Sequence, residues 1–461
     1  MTEKKYLKWY HKVGYGSGDI AGNVVYALLS SFVMIYLTDT IGLNSGIIGT
    51  LMMFSKLFDG VTDIFFGSMI DKTKSKFGKA RPWMFWAYFG CAAMIIAIFT
   101  IPVSLGAISQ YIWFFLAYTS LNAVFYTANN IAYSALTSLI TKNNSERVQM
   151  GSIRFIFAFG TSLLIQTITV DAVEIFGGGA LGWRTVAIIY SLIGLIVNTI
   201  SVFSVKELQE DTPQKTSIET MESKEKEETY TLVDTIKLLL ANKFYIIICC
   251  IYILSQIFTA TLNMGIYFMT YILLDASLLG VFSLAINIPL ICGLIFTPIL
   301  VKKFNGMYKL NLIGYVIASL ARGLVIVAAY QGNLPFMLFF SAIASLGMSP
   351  LQGDLNALIA SCSEYTFLTK QKRIDGTMFS CTSLGVKIGG GIGTALSGWL
   401  LAASGYIPNA VNQPHSCITM LYIMYLWIPM IINIIISILL SRLKVEQKLH
   451  ILHNNQGENK Q

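Results

Sequence analysis

Apolar runs of about 20 residues recur along almost the whole chain, parted by short polar loops, and this pattern leaves few folds open. A backbone inside hydrocarbon must satisfy its own N–H and C=O groups, so each run is expected to be a helix. Twelve runs are counted, at about 18–39, 46–70, 82–103, 109–138, 150–171, 184–205, 243–270, 278–301, 310–330, 334–360, 376–404 and 418–441. Of 461 residues, 55% are hydrophobic and 12% charged, which fits an all-α, multi-spanning membrane protein and not a soluble globule.

The net charge of +8 does not imply a nucleic-acid partner, because the lysines and arginines sit in short loops between the runs. Alternate loops carry Lys72 to Arg81, Lys142 and Arg147, Lys302, Lys303 and Lys309, then Lys370, Lys372 and Arg373. The other set, near 40–46, 103–109, 172–183, 271–278, 331–334 and 405–417, has almost none. This bias predicts that both termini are cytoplasmic, in the inner (plasma) membrane of the cell.

One polar segment splits the runs evenly. The expected organisation is an N-terminal six-helix bundle over 1–205, a cytoplasmic linker over 206–242, a C-terminal six-helix bundle over 243–445 and a cytoplasmic tail over 446–461. The linker holds Pro213 and the charged run Met221 to Glu228, and Leu232 to Leu240 has the spacing of a membrane-surface helix. Six plus six with a central loop resembles the major facilitator layout, in which solute binds near the midplane between two halves.

Little here suggests an enzyme. The seven cysteines (Cys91, Cys249, Cys250, Cys292, Cys362, Cys381, Cys417) fall mostly in apolar runs without metal spacing. The four histidines lie near ends and loops. Lys387 opens the run KIGGGIG, but no strand precedes it and it lacks the phosphate-loop pattern. Glycines at that density allow close helix packing or bending.

The informative residues are the ionisable ones at bilayer depth. Lys56, Asp59 and Asp63 are three and four apart, so they share one stripe of the second predicted helix. Each costs about 2.5–3.5 kcal/mol to insert, so they must face a protein interior or a watered cavity. The stripe reads as an ion or proton site, or as a structural ion pair with a spare carboxylate. Asp19 and Asn23 lie on one face of the first helix, Asp19 suiting either a helix-start cap or a ligand contact. Tyr126, Asn129, Asn130 and Tyr133 form a polar and aromatic stripe that suits sugar hydroxyls and C–H faces, or interhelical amide bonding. Arg154, Arg322, Asp354 and Lys387 complete the set, and Lys387 is placed to reach the carboxylates of the second helix.

These residues carry a resemblance. YGSGDIAGN near the start, Tyr36 to Leu43, Lys56 to Trp83, Tyr126 to Leu136, Ser363 to Met378 and Ser404 to Asn409 resemble the glycoside–pentoside–hexuronide:cation symporters, the melibiose permease group of the major facilitator superfamily. The resemblance implies a cation site at Asp59, Thr62, Asp63 and Thr127, with Lys56 and Lys387 as coupling charges. Thr62 replaces an asparagine of the melibiose permease, so Na⁺ and H⁺ both remain open, with Na⁺ held at Asp59 and Asp63 if it is the ion. It implies solute contacts from Asp19, Asn23, Tyr26, Tyr126, Asn130, Tyr133, Arg154 and Gln352. Asn23 and Asn130 stand where that permease has aspartates, and Ser134 and Gln352 stand at its stacking tryptophan positions. A melibiose-like galactoside is therefore not expected; a neutral glycoside, or a glucuronide held by Arg154, is. Glu364, Arg373 and Asp375 match cytoplasmic gate contacts.

The resulting expectation is a secondary active transporter, a monomer without cofactor, that couples Na⁺ or H⁺ to sugar symport by alternating access. Its rivals are a carrier of a non-sugar solute such as a lysolipid, a sugar exchanger, and a membrane sensor. The sensor lacks a soluble domain large enough to signal.

Overall fold

The structure, a computed structural model, describes residues 5–141, 143–208, 239–304, 306–370, 375–410 and 412–458. Most of the linker, including 232–238 of the expected surface helix, lies outside the described residues.

Helix α1 (Trp9–Gly16) runs into α2 (Gly18–Ile35), which ends in a π-helical turn at Tyr36–Thr40. Next come α3 (Ser45–Lys72) and α4 (Arg81–Ile98). α5 (Ala107–Ser120) joins α6 (Thr127–Ile140) through a second π-helical turn at Leu121–Tyr126. α7 (Asn144–Ile175) and α8 (Gly179–Ser204) follow. After the linker come α9 (Lys243–Leu262), α10 (Gly265–Tyr271), α11 (Leu278–Lys303) and α12 (Met307–Tyr330). Then come α13 (Leu334–Lys370), α14 (Asp375–Ala403), α15 (His415–Tyr422), α16 (Ile428–Arg442) and α17 (Val445–Glu458). Local chemistry sets several starts. The Asn44 side chain accepts from the N–H of Gly46 at 2.9 Å to begin α3, and Asn143 and Asn242 do the same for α7 and α9. Pro82 lies in the first turn of α4, where no N–H is needed.

Among the described residues, ten helical stretches are long and apolar enough to cross a membrane. The two other expected spans, at 46–70 and 109–138, are also helical but more polar. α3 carries Lys56, Asp59 and Asp63, and the α5–α6 rod carries Gln110, Asn122, Thr127, Asn129 and Asn130.

The helices before the linker pack mainly on one another, α4 on α8 and α2 on α7 and α8, and those after it do likewise, α13 on α11 and α12 and α9 on α14. Across the two sets, α3 lies along α14 over many residues, α7 meets α11, and α2 meets α10. The largest buried apolar cluster draws on both sets, with Phe32 and Leu37 beside Tyr267, Phe268 and Met424.

The α3–α14 contact is graded along its length. At the end that carries Ser45, a Cβ on Gly398 would lie 2.5 Å from the Ser45 carbonyl oxygen and one on Gly49 3.1 Å from that of Thr394. Only glycine permits that approach. Toward the other end, Gly67 and Gly385 face open space. Among the described residues, α3 and α14 are thus joined at the face holding Ser45 and Tyr406, and have open space between them at Gly67 and Gly385, toward the face holding the basic loops. We expect Gly398→Val to wedge the joined face open. A cysteine placed at Tyr26 should then react at least tenfold faster with a membrane-impermeant maleimide applied from the Ser45 side.

Candidate functional site

Where the α3–α14 contact gives way to open space, Lys387 sits between two carboxylates. Its Nζ lies 3.2 Å from Asp59 Oδ2 and is ion-paired and hydrogen-bonded to Asp63 Oδ2. It also donates to the Asp59 carbonyl oxygen at 3.1 Å. The Thr127 hydroxyl lies within hydrogen-bond reach of Asp59 Oδ1 and of the carbonyl oxygen of Asn122, 2.8 Å away, and its one proton donates to one of them at a time. That five-residue reach belongs to the π-helical turn before Thr127, which swings the hydroxyl onto α3. The Thr62 hydroxyl instead donates to the Asp59 carbonyl oxygen at 3.2 Å. So α3, α6 and α14 bring together the expected cation residues Asp59, Asp63 and Thr127 with Lys387, while Thr62 bonds within its own helix. The charged side chains are 21–35% exposed, so water reaches them.

Lys56 stands apart from this pair. Its Nζ donates to the Gly390 carbonyl oxygen at 3.1 Å and to Thr394 Oγ1 at 3.0 Å. Helical side chains lean toward the helix N-terminus, so Lys56 leans away from Asp59. An ion pair gains about 4 kcal/mol at an effective dielectric near 20, roughly one insertion penalty. As one charge against two, Lys387 offsets the carboxylates only in part, and Lys56, outside its two ion pairs, meets its own penalty with dipolar partners.

One turn of α2 holds a second charged group. Arg154 Nε donates to Asp19 Oδ2 at 2.6 Å, and its Nη2 reaches Oδ1 at 3.5 Å. The guanidinium lies 4.0 Å from the Tyr133 ring centre, and the Tyr133 hydroxyl donates to Asp19 Oδ2 at 3.0 Å. Arg154, Asp19 and Tyr133 thus satisfy one another. Asn129 is buried and donates to the Met84 carbonyl oxygen at 2.7 Å and to Asn198 Oδ1 at 3.1 Å, the interhelical amide role.

Between the two helix sets lies a cavity of about 440 Å³, a size that suits a small solute. Its walls mix apolar side chains, Phe159, Leu262, Leu290 and Met348 among them, with polar ones and contain no carboxylate: Asn23, Tyr26, Gln166, Asn263, Asn287 and Gln352 contribute, with several serines and Arg322. A smaller adjoining cavity of about 90 Å³ shares Tyr26, Ser30 and Asn263 and is lined by Tyr126 and Lys56, so it points toward the carboxylate site. Of the expected solute residues, Asn23, Tyr26 and Gln352 line the larger space and Tyr126 the smaller. Asp19, Tyr133 and Arg154 form the paired cluster instead. Asn130 is exposed and lines neither cavity.

Glu364 lies on α13 and is exposed. Arg373 and the Asp375 side chain lie outside the described residues. A polar cluster that the reading of the sequence left without a role closes the joined face. The Tyr271 hydroxyl donates to Asp39 Oδ2 at 2.5 Å, the Tyr406 hydroxyl to Asp39 Oδ1, and the Asn409 amide to the Asp39 carbonyl oxygen. Thr38 and Tyr267 share a hydrogen bond of 2.8 Å beside it. The signal available was an aspartate in the last turn of an apolar helix with tyrosines near two other helix ends.

These features define a membrane carrier, with a polar chamber between two packed helix sets and an ionisable site at their junction. The chain belongs to the family described as MFS/sugar transport protein, which it matches over residues 14–447. Membership makes it a transporter rather than an enzyme, and the relatives support the expected likeness to the glycoside–pentoside–hexuronide symporters. It is 27% identical to the isoprimeverose transporter of Lactiplantibacillus pentosus over 94% of this chain and 88% of that one. It is 25% identical to the glucuronide carrier protein homolog of Escherichia coli (strain K12), over 88% of this chain and 86% of the relative. Its fold is similar to that of a bacterial homolog of the lysosomal transporter Spinster in an inward-facing, unoccupied conformation (TM-score 0.65, 13% identity, 94% of each chain covered). The D-xylose-proton symporter is also similar (TM-score 0.61, 14% identity, 95% of this chain and 97% of that one).

Two substitutions test this geometry. Thr127→Val, which keeps the shape and removes the donor to Asp59, should weaken cation binding about tenfold, roughly 1.4 kcal/mol, by calorimetric titration. Asp19→Asn and Arg154→Gln should each lower stability by about 2 kcal/mol, less than the 3–5 for a fully buried pair, and the double variant should recover part of the loss in a double-mutant cycle.

Proposed function

We propose that the chain is a cation-coupled symporter that brings a glycoside, pentoside or hexuronide across the inner membrane by alternating access. The observation that carries this reading is Lys387 held between Asp59 and Asp63, beneath a polar chamber shut at one face. In the cation-free carrier the ammonium partly neutralises the two carboxylates. A Na⁺ ion or a proton arriving there takes over that neutralisation and frees Lys387, which loosens α14 from α3. Solute in the chamber and cation at the carboxylates then favour the same arrangement. By linkage, each raises the affinity for the other by the same factor.

The remaining architecture is read in the same terms. α3 and the α5–α6 rod complete twelve spans in two six-helix bundles, 1–205 and 243–445, with both termini and the basic loops on the cytoplasmic side and the chain acting as a monomer. The joined face is then the outer one, and the structure is inward-facing. Asp39, with Tyr271, Tyr406 and Asn409, latches the outer gate. The chamber's amides and hydroxyls suit a sugar better than the acyl chain of a lysolipid. The names of the isoprimeverose and glucuronide relatives support the same solute class.

The decisive experiment is uptake of labelled glycosides, pentosides and hexuronides into membrane vesicles under an imposed Na⁺ gradient, an imposed proton gradient, or none. Accumulation under one gradient is expected. It should be lost in Asp59→Asn/Asp63→Asn, and its survival there would sink the mechanism. Equilibration of sugar without accumulation would make the carrier a facilitator or exchanger. Asp39→Asn should leave cation binding intact but slow net uptake at least fivefold, because its outer gate closes poorly.

A further inference from the structure

The chamber contains one charge that nothing in it balances. Arg322 lies midway along α12, is only 2% exposed and lines the cavity beside Ser345, Gln352, Asn287 and Tyr425. Its Nε has no hydrogen-bond partner, and among the described residues no carboxylate lies within ion-pair distance of its guanidinium. Its nearest ring is Phe258, 5.3 Å from the guanidinium carbon, a face that accepts a cation but supplies no acceptor atom. The contrast with Arg154 is direct: that guanidinium is forked onto Asp19 and stacked on Tyr133, whereas Arg322 has neither partner. A buried, unpaired arginine is costly, and it keeps its charge at any physiological pH. The chamber around it offers amides and hydroxyls and no anion.

We infer that Arg322 is an anion-binding subsite in the solute chamber, and that the carrier selects sugars bearing a carboxylate over their neutral counterparts. The inference rests on the transport reading above and narrows its solute class to sugar acids. The guanidinium fork matches a carboxylate in a bidentate pair, which gives direction as well as charge. Gln352 and Asn287 beside it hydrogen-bond ring hydroxyls, and Asn23 and Tyr26 do so from the facing helix set. The acid group thus anchors the sugar to the C-terminal helix set, and its hydroxyls bridge to the N-terminal set. This assigns to Arg322 the carboxylate role that the family resemblance suggested for Arg154.

The test compares matched pairs, 4-nitrophenyl glucuronides and 4-nitrophenyl glucosides in both anomers, by calorimetric binding to the purified full chain at saturating Na⁺ and, in parallel, without Na⁺ at mildly acidic pH, and by uptake into proteoliposomes under each ion's gradient. In the wild type one glucuronide is expected to bind at least tenfold more tightly than its glucoside. Arg322→Gln should abolish that preference, the glucuronide losing at least tenfold more affinity than the glucoside, and Arg322→Lys should keep part of it. Without ligand, the melting temperature of Arg322→Gln should match or exceed that of the wild type, since an unpaired buried charge is gone. Equal affinities in the wild type, or a preference that persists in Arg322→Gln, would overturn the inference while leaving sugar symport standing. A melting temperature several degrees lower, with both sugars weakened alike, would make Arg322 a structural residue and also overturn it. Chloride or phosphate, titrated alone, should bind at least tenfold more weakly than the glucuronide; tighter binding would make this an inorganic-ion site. Failure of every sugar to bind or accumulate in the wild type would remove the transport reading along with the subsite.

Discussion

The ammonium of Lys387 between Asp59 and Asp63 is the interaction on which the arrangement turns. Two carboxylates on successive turns of a helix repel, and neither is cheap at bilayer depth. One lysine from the facing helix pairs with both and offsets them in part. It also ties the two helix sets together at the level where their packing ends. On one side of it α3 and α14 approach through Gly49 and Gly398, and on the other Gly67 and Gly385 face open space. Under the proposed mechanism, a charge exchanged at this point would act where the packing of the two sets gives way.

The polar groups divide into those that are satisfied and those that wait. Asp19, Arg154 and Tyr133 close on one another, as do Asn129 and Asn198, and such groups hold helices in register. The chamber side chains are less fully answered: the Asn23 and Asn287 amides donate only to carbonyl oxygens of their own helices, those of Asp19 and Ser283, and Arg322 Nε has no partner. Membrane interiors penalise unsatisfied polar groups, and under the transport reading proposed above the polar side chains around this cavity, the unpartnered Arg322 Nε among them, are where a solute would bind.

Much of this was legible in the residues because hydrocarbon is an unforgiving solvent. The helices follow from run length, and their sidedness is expected from the lysine and arginine bias. Asp59 and Asp63 stood out because charges at that depth are rare and their spacing sets one face. Lys56 was read as their partner from the same spacing. It reaches α14 instead, because side-chain lean as well as sequence distance decides who meets whom. The pairing of Arg154 with Asp19 joins residues more than a hundred positions apart, which no local pattern reveals. The C-terminal wall of the chamber was also hidden, since Asn263, Asn287 and Ser345 are ordinary neutral residues until packing shows which way they face. Asp39 lies in the Tyr36 to Leu43 motif, yet its hydrogen bonds to Tyr271, Tyr406 and Asn409 need two other helix ends to be seen.

The claim that a cation and Lys387 compete for one pair of carboxylates can be put to a direct measurement. Na⁺ and protons would each be titrated into the purified wild-type chain and into Lys387→Gln, by calorimetry and potentiometry. Removing a positive neighbour raises the affinity of a carboxylate for any other positive ion. The account predicts that at least one of the two ions binds Lys387→Gln tenfold or more tightly than the wild type. Weaker binding of both ions in the variant would contradict it, since the ammonium would then be building the cation site rather than occupying it.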